Sequence, residues 1–276
     1  MMDRLPAELI DRIAQELTLP DMYHLASTNR LWYQHCLPRM YASPPLINNE
    51  RRHDLFFKHT SHRTQQYIRH LRVDSSLITN EQLGQLIGCT GLATLDLSYC
   101  KHISPDSLNK VLTSCMTSIQ RICLVDGKLA QSSLALLGHA SRYFKLRSLD
   151  LSNTMICPCG SIDTPHHLDS MIITGASSAL HELDLSYCSW VDDTTLSNIT
   201  LGLPLLKFLR LRFCHQLSDL AIKGMVQHLK QISAVDVAHI PGIDDPVHAR
   251  ALLALNPLLE EISFTHQFKP TSLSRR

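Results

Sequence analysis

The chain has 276 residues, 44% of them hydrophobic, with a formal net charge of +1. That is long enough for one extended domain plus a small module, and its near-neutral balance gives no electrostatic ground for a nucleic-acid or membrane partner. Nine cysteines, with an amphipathic helix directly after Met1–Arg4 and no run near the roughly 18 apolar residues that span a bilayer, set the expectation of free thiols in the reducing cytoplasm or nucleus.

Residues 3–41 read as three short helices. Pro6 suits a first helical position, and Glu8 favours the positive end of the helix dipole. Leu9, Ile10, Ile13 and Leu17 recur at helical spacing as one apolar stripe. Pro20-Asp21 closes that helix and opens a second through Leu25 and Ala26. Asn29 caps a third carrying Leu31, Trp32, Cys36 and Leu37, which Pro38 is expected to end. A unit of roughly 40 residues is near the lower size limit for an independent fold, so part of its apolar surface is expected to be covered by a partner or by the rest of the chain. Pro44-Pro45 marks a boundary. Residues 48–66 are polar and basic (Arg51, Arg52, Lys58, Arg63) around Leu55-Phe56-Phe57, a candidate short helix packed over the segment that begins at Ile68.

From Ile68 onward an apolar-x-x-apolar-x-apolar pattern recurs. Its units are Ile68/Leu71/Val73, Leu92/Leu95/Leu97, Ile119/Ile122/Leu124, Leu146/Leu149/Leu151, Leu180/Leu183/Leu185, Leu206/Leu209/Leu211, Ile232/Val235/Val237 and Leu259/Ile262/Phe264. The steps between first members are 24, 27, 27, 34, 26, 26 and 27 residues. Such a period marks a stacked repeat, in which no unit buries its apolar faces alone. The last two apolar positions of each unit alternate, as in a strand, and helical spacing follows at Leu108/Val111/Leu112, Leu134/Leu137, Leu196/Ile199 and Leu220/Met225/Leu229. Three units carry a cysteine three residues after the last strand leucine: Cys100, Cys188 and Cys214. The string Asp-Leu-Ser-Tyr-Cys occurs at 96–100 and 184–188. The array resembles the cysteine-containing class of leucine-rich repeats, which implies strands on a concave face and thiols turned inward against the neighbouring coil.

On that reading three columns of side chains face out between the leucines. The central one is Arg72, Asp96, Cys123, Asp150, Asp184, Arg210, Asp236 and Ser263. An acidic centre (Asp150, Glu182, Asp184) lies beside a basic and aromatic strip (Phe208, Arg210, Arg212, Phe213). Arg and aromatics dominate binding hot spots, so Asp150, Glu182, Asp184, Phe208, Arg210 and Arg212 are the candidate substrate-binding residues. The competing reading makes the aspartates soluble filler of the repeat. The 34-residue step holds Cys157, Cys159, His166 and His167; their spacing is poor for zinc, and the segment reads as an exposed insertion with no metal assigned. The tail from Lys269 to Arg276 is short, polar and expected to fray.

Leu5-Pro6-Ala7-Glu8-Leu9-Ile10 with Ile13, Leu17, Asp21, Leu25, Ser27, Asn29 and Trp32 resembles an F-box, departing from it at Met22-Tyr23-His24 where leucines are commoner. Cys36–Tyr41 is similar to the exit of fungal F-boxes, and Tyr67–Leu71 to the first strand after it. The resemblance spans nearly the whole chain. It implies an α/β protein: an F-box (1–45), a connector (46–67), a leucine-rich repeat domain with about eight strand units, a parallel concave sheet and convex helices (68–268), and a tail (269–276). It also implies a substrate receptor of an SCF ubiquitin ligase. Leu5, Pro6, Glu8, Leu9, Ile10, Ile13, Leu25 and Trp32 would contact a Skp-family adaptor, and through it a cullin, while the repeats hold a protein substrate. A repeat scaffold acting outside the ligase is the alternative. No Gly-x-Ser-x-Gly, His-Glu-x-x-His or phosphate-cradling loop supports an enzyme, and no cofactor is expected.

Overall fold

The computed structural model describes residues 5–46, 49–59, 62–73, 75–143, 145–157, 179–243, 246–266 and 269–274. It opens with α1 (Ala7–Glu16), α2 (Leu19–Ala26) and α3 (Arg30–Met40). Asn29 Oδ1 accepts the Trp32 N–H at 2.9 Å and starts α3 as its sequence suggests. These helices enclose a core of their own: Ile10, Ala14, Met22, Ala26, Trp32, Cys36 and Met40. His35 Nδ1 lies 2.8 Å from Asp11 Oδ1 and ties α3 to α1. Pro38 does not end α3, because Cys36 and Met40, one turn apart, are both buried and carry the helix past it.

Two helices come next, α4 (Glu50–His59) and α5 (His62–Gln65). Leu46 and Phe57 are buried in the main core beside Ile68 and Leu71. The helix expected around Leu55-Phe56-Phe57 thus packs on the start of the array, and Leu46 joins the same core. The Arg69 and His70 N–H groups both donate to the Ala42 carbonyl at 2.9 Å, so the exit of the three-helix module covers the first edge of the sheet.

The array runs β1 (His70–Arg72), α6 (Asn80–Gln85), β2 (Thr94–Asp96), α7 (Pro105–Cys115), β3 (Arg121–Cys123), β4 (Lys128–Leu129), α8 (Gln131–Tyr143), β5 (Ser148–Asp150) and β6 (Met155–Ile156). It continues with β7 (Glu182–Asp184), α9 (Asp193–Gly202), β8 (Phe208–Arg210), α10 (Asp219–His228), β9 (Ala234–Asp236), α11 (Pro246–Leu255), β10 (Glu261–His266) and β11 (Lys269–Ser274). Among the described residues one sheet has the order β1-β2-β3-β5-β7-β8-β9-β10-β11, and β4 pairs with β6 beside it. The strands pair in parallel as far as β10, and β11 returns antiparallel. The tail expected to fray is thus a strand, pairing Glu261 with Ser274 through to His266 with Lys269.

Three-residue strands are too short to be stable singly. Their middle residues (Leu71, Leu95, Ile122, Leu149, Leu183, Leu209, Val235, Ile262) are buried in one continuous core with Leu108, Val111, Leu112, Leu134, Ile199 and Met225 from the helices. Each fully buried side chain of this size contributes about 1.5–3 kcal/mol. Leu220, grouped with this set by its spacing, points to solvent instead. Among the described residues the helices cover one face of the sheet, and the other is open. β5 and β7 stay in register across the long step, Leu149 opposite Leu183.

Side-chain caps begin the helices and also link successive coils. Thr79 and Gln82 form a capping box on α6. Ser104 caps α7 while its own N–H donates to Asn80 Oδ1 at 2.8 Å. Ser218 caps α10 and donates its N–H to Asp193 Oδ1 at 2.8 Å. At the far end Asn256 Nδ2 donates to the Val226 and Leu229 carbonyls at 2.8 and 2.9 Å, fastening the chain after α11 to the coil before it.

Candidate functional site

The residues singled out from the sequence fall on two surfaces. The first is on α1. The sequence groups Ile10 and Trp32 with the adaptor contacts, but they are 1% and 2% exposed and lie in the module's core. They shape the face without forming it. The apolar stripe also divides: Ile10, Ala14 and Leu17 turn inward, while Leu9 and Ile13, one turn apart, are 44% and 41% exposed. Pro6 and Glu8 are exposed beside them, and Leu5 and Leu25 are half-buried at the border. Tyr23 and Tyr33, absent from the expected set, are also exposed.

The second surface is the open face of the sheet. The six residues singled out from the sequence fall on three neighbouring strands: Ser148↔Glu182↔Phe208 and Asp150↔Asp184↔Arg210 are direct register partners, and Arg212 follows β8. Their charges are largely paired within the face. Arg212 donates to Asp236 at 2.9 Å, Arg210 lies 3.5 Å from Asp184, Arg121 lies 3.7 Å from Glu182, and Arg72 lies 3.0 Å from Asp96. The aspartates are more than filler. Oδ1 of Asp96, Asp150, Asp184 and Asp236 accepts the N–H of Ser98, Ser152, Ser186 and Ala238 at 2.9–3.1 Å, bracing the turn after each strand. Burial pushes the Asp184 carboxyl up from its ordinary range; its bonds to Ser186 oppose this, and the neighbouring Asp150 adds to it.

Past each turn lies a column of which the sequence reading picked out only Phe213. Tyr99, Asp126, Asn153, Tyr187, Phe213 and His239 each stand two residues beyond the last strand leucine, and each has φ between 54° and 65°. Asp and Asn tolerate that left-handed backbone; aromatic side chains do not favour it. Their recurrence at one repeat position was the available signal. Tyr187, Phe213 and His239 stack, with centroids 4.7 and 4.0 Å apart and planes within 17°. A groove of about 490 Å³ runs between this rim and the central column, lined by Tyr99, Val125, Ser152, Tyr187, Arg210 and Arg212 among others.

The recurring thiols are interior. Cys188 Sγ donates to the Leu151 carbonyl at 3.1 Å and Cys214 Sγ to the Leu185 carbonyl at 3.2 Å, each reaching back to the preceding coil. Burial first, and for Cys214 the adjacent Cys188, pushes these thiols up to about 11 and about 12. They stay protonated at neutral pH, which denies them nucleophilic reactivity. Gly127 occupies the equivalent place in the third coil, where an added Cβ would come 2.8 Å from the Leu124 carbonyl oxygen. Cys159, His166 and His167 lie outside the described residues. Among the described residues, no cluster of His, Cys, Asp or Glu could hold a metal, and no helix is long and apolar enough to cross a membrane.

No family model matches the chain. In sequence it is similar to F-box/LRR-repeat protein 4 of Bos taurus, 25% identical over 251 residues that take in 79% of this chain. The match spans 39% of that relative's length. Among solved structures, a leucine-rich repeat protein of Leptospira interrogans superposes with a TM-score of 0.43 at 15% identity, over 73% of this chain and 50% of its own. The leucine-rich repeat protein LegL7 of Legionella pneumophila gives 0.39 at 15% identity, over 85% and 89%. The yeast Rad7–Elc1 complex gives 0.31 at 13% identity, over 92% and 86%.

Proposed function

We propose that this chain is a non-catalytic receptor: the substrate-recognition subunit of an SCF-type cullin–RING ubiquitin ligase. The observation that carries the reading is the uncovered pair Leu9 and Ile13 on α1, outside a helical module whose own core is already closed. A small helical unit that leaves aliphatic side chains in water at helical spacing is suited to take a partner helix or groove there. Its position suits a Skp-family adaptor, with Pro6, Glu8, Leu9 and Ile13 as the contacts and Ile10 and Trp32 as their support. The similarity to a protein named for its F-box and repeats favours the same reading.

The open face would take the substrate. Its rigidity comes from the continuous core beneath it, so two partners would be held at a fixed separation, raising the effective concentration of a substrate lysine near the transfer machinery. Protonated, interior thiols favour a structural role for the cysteines over chemistry. The experiment is affinity capture from cells treated with a proteasome inhibitor, comparing the intact chain with one lacking residues 1–45. Adaptor and cullin are expected only with the intact chain. Proteins held by both forms, and accumulating in cells only with the truncated one, are the substrates. Capture of the adaptor without a cullin would favour a scaffold outside the ligase, and adaptor capture by the truncated form would contradict the assignment.

A further inference from the structure

We propose that the groove between the rim tyrosines and the central column binds an extended peptide through cationic side chains, Arg or Lys, set against the ring of Tyr99 or of Tyr187 and drawn by Asp184 in the groove and by its register partner Asp150 beside it. The inference rests on the receptor reading and names the chemistry its open face selects.

Charge gives the first argument. In the three outward columns of the repeat strands, counting described residues, Arg72, Arg121, Arg210 and Arg212 face Asp96, Asp150, Glu182, Asp184, Asp236 and Glu261, a net of −2 on one face of a chain that carries +1 in total. The deficit lies at β5 and β7. Asp150 has no ion pair among the described residues, and the Arg contacts to Asp184 and Glu182, at 3.5 and 3.7 Å, are longer than a charge-assisted hydrogen bond. Two neighbouring groups sense the same field. Asp184 is held above its ordinary range by burial and by Asp150, and burial followed by Asp96 and Asp150 pushes the Cys123 thiol to about 11. A carboxylate short of positive charge in a partly buried site gains from a cation.

The rim gives the second. Tyr99 and Tyr187 are 59% and 49% exposed and line the groove, although Asn or Asp would fit their left-handed backbone at lower cost. Three strand spacings, about 14 Å, part the two coils; among the described residues Asp126 and Asn153 stand at the rim positions between them, with Lys101 paired to Asp126 at 2.6 Å. Tyr187 gives one face to Phe213, which leaves its other face and the ring of Tyr99 to a cation, an interaction worth about 0.5–2 kcal/mol. The groove crosses six strands, about 24 Å, which matches some seven residues of extended chain.

Fluorescence anisotropy on the full chain tests this with labelled nine-residue Gly/Ser peptides carrying two arginines, or two glutamates in their place. The arginine probe is expected to bind and the glutamate probe is not. Asp150→Asn with Asp184→Asn, which keeps both turn-bracing oxygens, should weaken binding at least tenfold. Tyr99→Asn should weaken it severalfold while leaving the melting temperature unchanged or higher. Arg210→Gln frees Asp184 and should tighten it about threefold. Preference for the glutamate probe, weakening by Arg210→Gln, or no binding of either probe up to millimolar concentration would overturn the proposal. The probes need no adaptor and no cellular partner. Failure here therefore leaves the receptor reading standing, whereas a chain that binds the arginine probe but captures no cellular protein would sink that reading alone.

Discussion

Asp184 keeps a carboxylate only 15% exposed, with Asp150 on one side and the Arg210 guanidinium 3.5 Å away on the other. Because folding raises its pKa, the folded state favours the protonated form. The contribution of this group to stability is greatest below the ordinary value of 3.8 and is lost as pH rises through the raised one. Asp184→Asn keeps the oxygen that accepts the Ser186 N–H and removes the buried charge. It is predicted to melt at or above the parent at pH 7, with the difference closing as pH falls through the carboxylate range. A lower melting temperature at pH 7 would show that the Arg210 pair outweighs desolvation. At this scale the leucine columns and their outward partners were legible in the sequence, since strand alternation alone fixes which side each residue faces. The turn-bracing role of the aspartates and the left-handed rim were not. Both depend on turn geometry, and a tyrosine at such a position contradicts the local preference that would have announced it.

Helix α10 contains Gly224, and a Cβ built there meets nothing within 4 Å. Gly224→Ala is predicted to stabilise the chain by about 1 kcal/mol in chemical denaturation, because the helix loses its most flexible residue at no steric cost. A loss of stability would mean that the neighbouring helix packs more closely against that position. Strand β11 makes the opposite case. Ending the chain after residue 268 would uncover the edge of β10 along six paired residues. Lower thermal stability and self-association by light scattering are expected, as an open edge recruits another chain; a melt identical to the parent's would show that the tail contributes nothing. The helices were legible from caps such as Asn29 and from 3.6-residue spacing. β11 was not, because its polar residues carry no strand signal and its pairing is made by β10. Pro38 misled for a related reason, since burial of Cys36 and Met40 overrides a local helix breaker.

At the scale of the whole molecule, the proposed receptor carries two partner surfaces on one chain, with the Ala42 carbonyl receiving the Arg69 and His70 N–H groups where the module meets the sheet. The division into a small helical unit and a long array was readable from Pro44-Pro45 and the onset of the repeat. The packing of the Leu55-Phe56-Phe57 helix over the first repeat was readable too, while the burial of Leu46 in the same core was not, because it rests on contact with a core built by distant coils. The most direct test of the two surfaces is the affinity of the full chain for a purified Skp-family adaptor, measured by titration calorimetry for the parent and for Leu9→Asp with Ile13→Asp. Both side chains are outside the module's core, so the variant should keep its melting temperature. Submicromolar binding by the parent and a loss of at least a hundredfold in the variant are predicted. An adaptor that ignores the parent chain, or binds both forms equally, would contradict the receptor assignment.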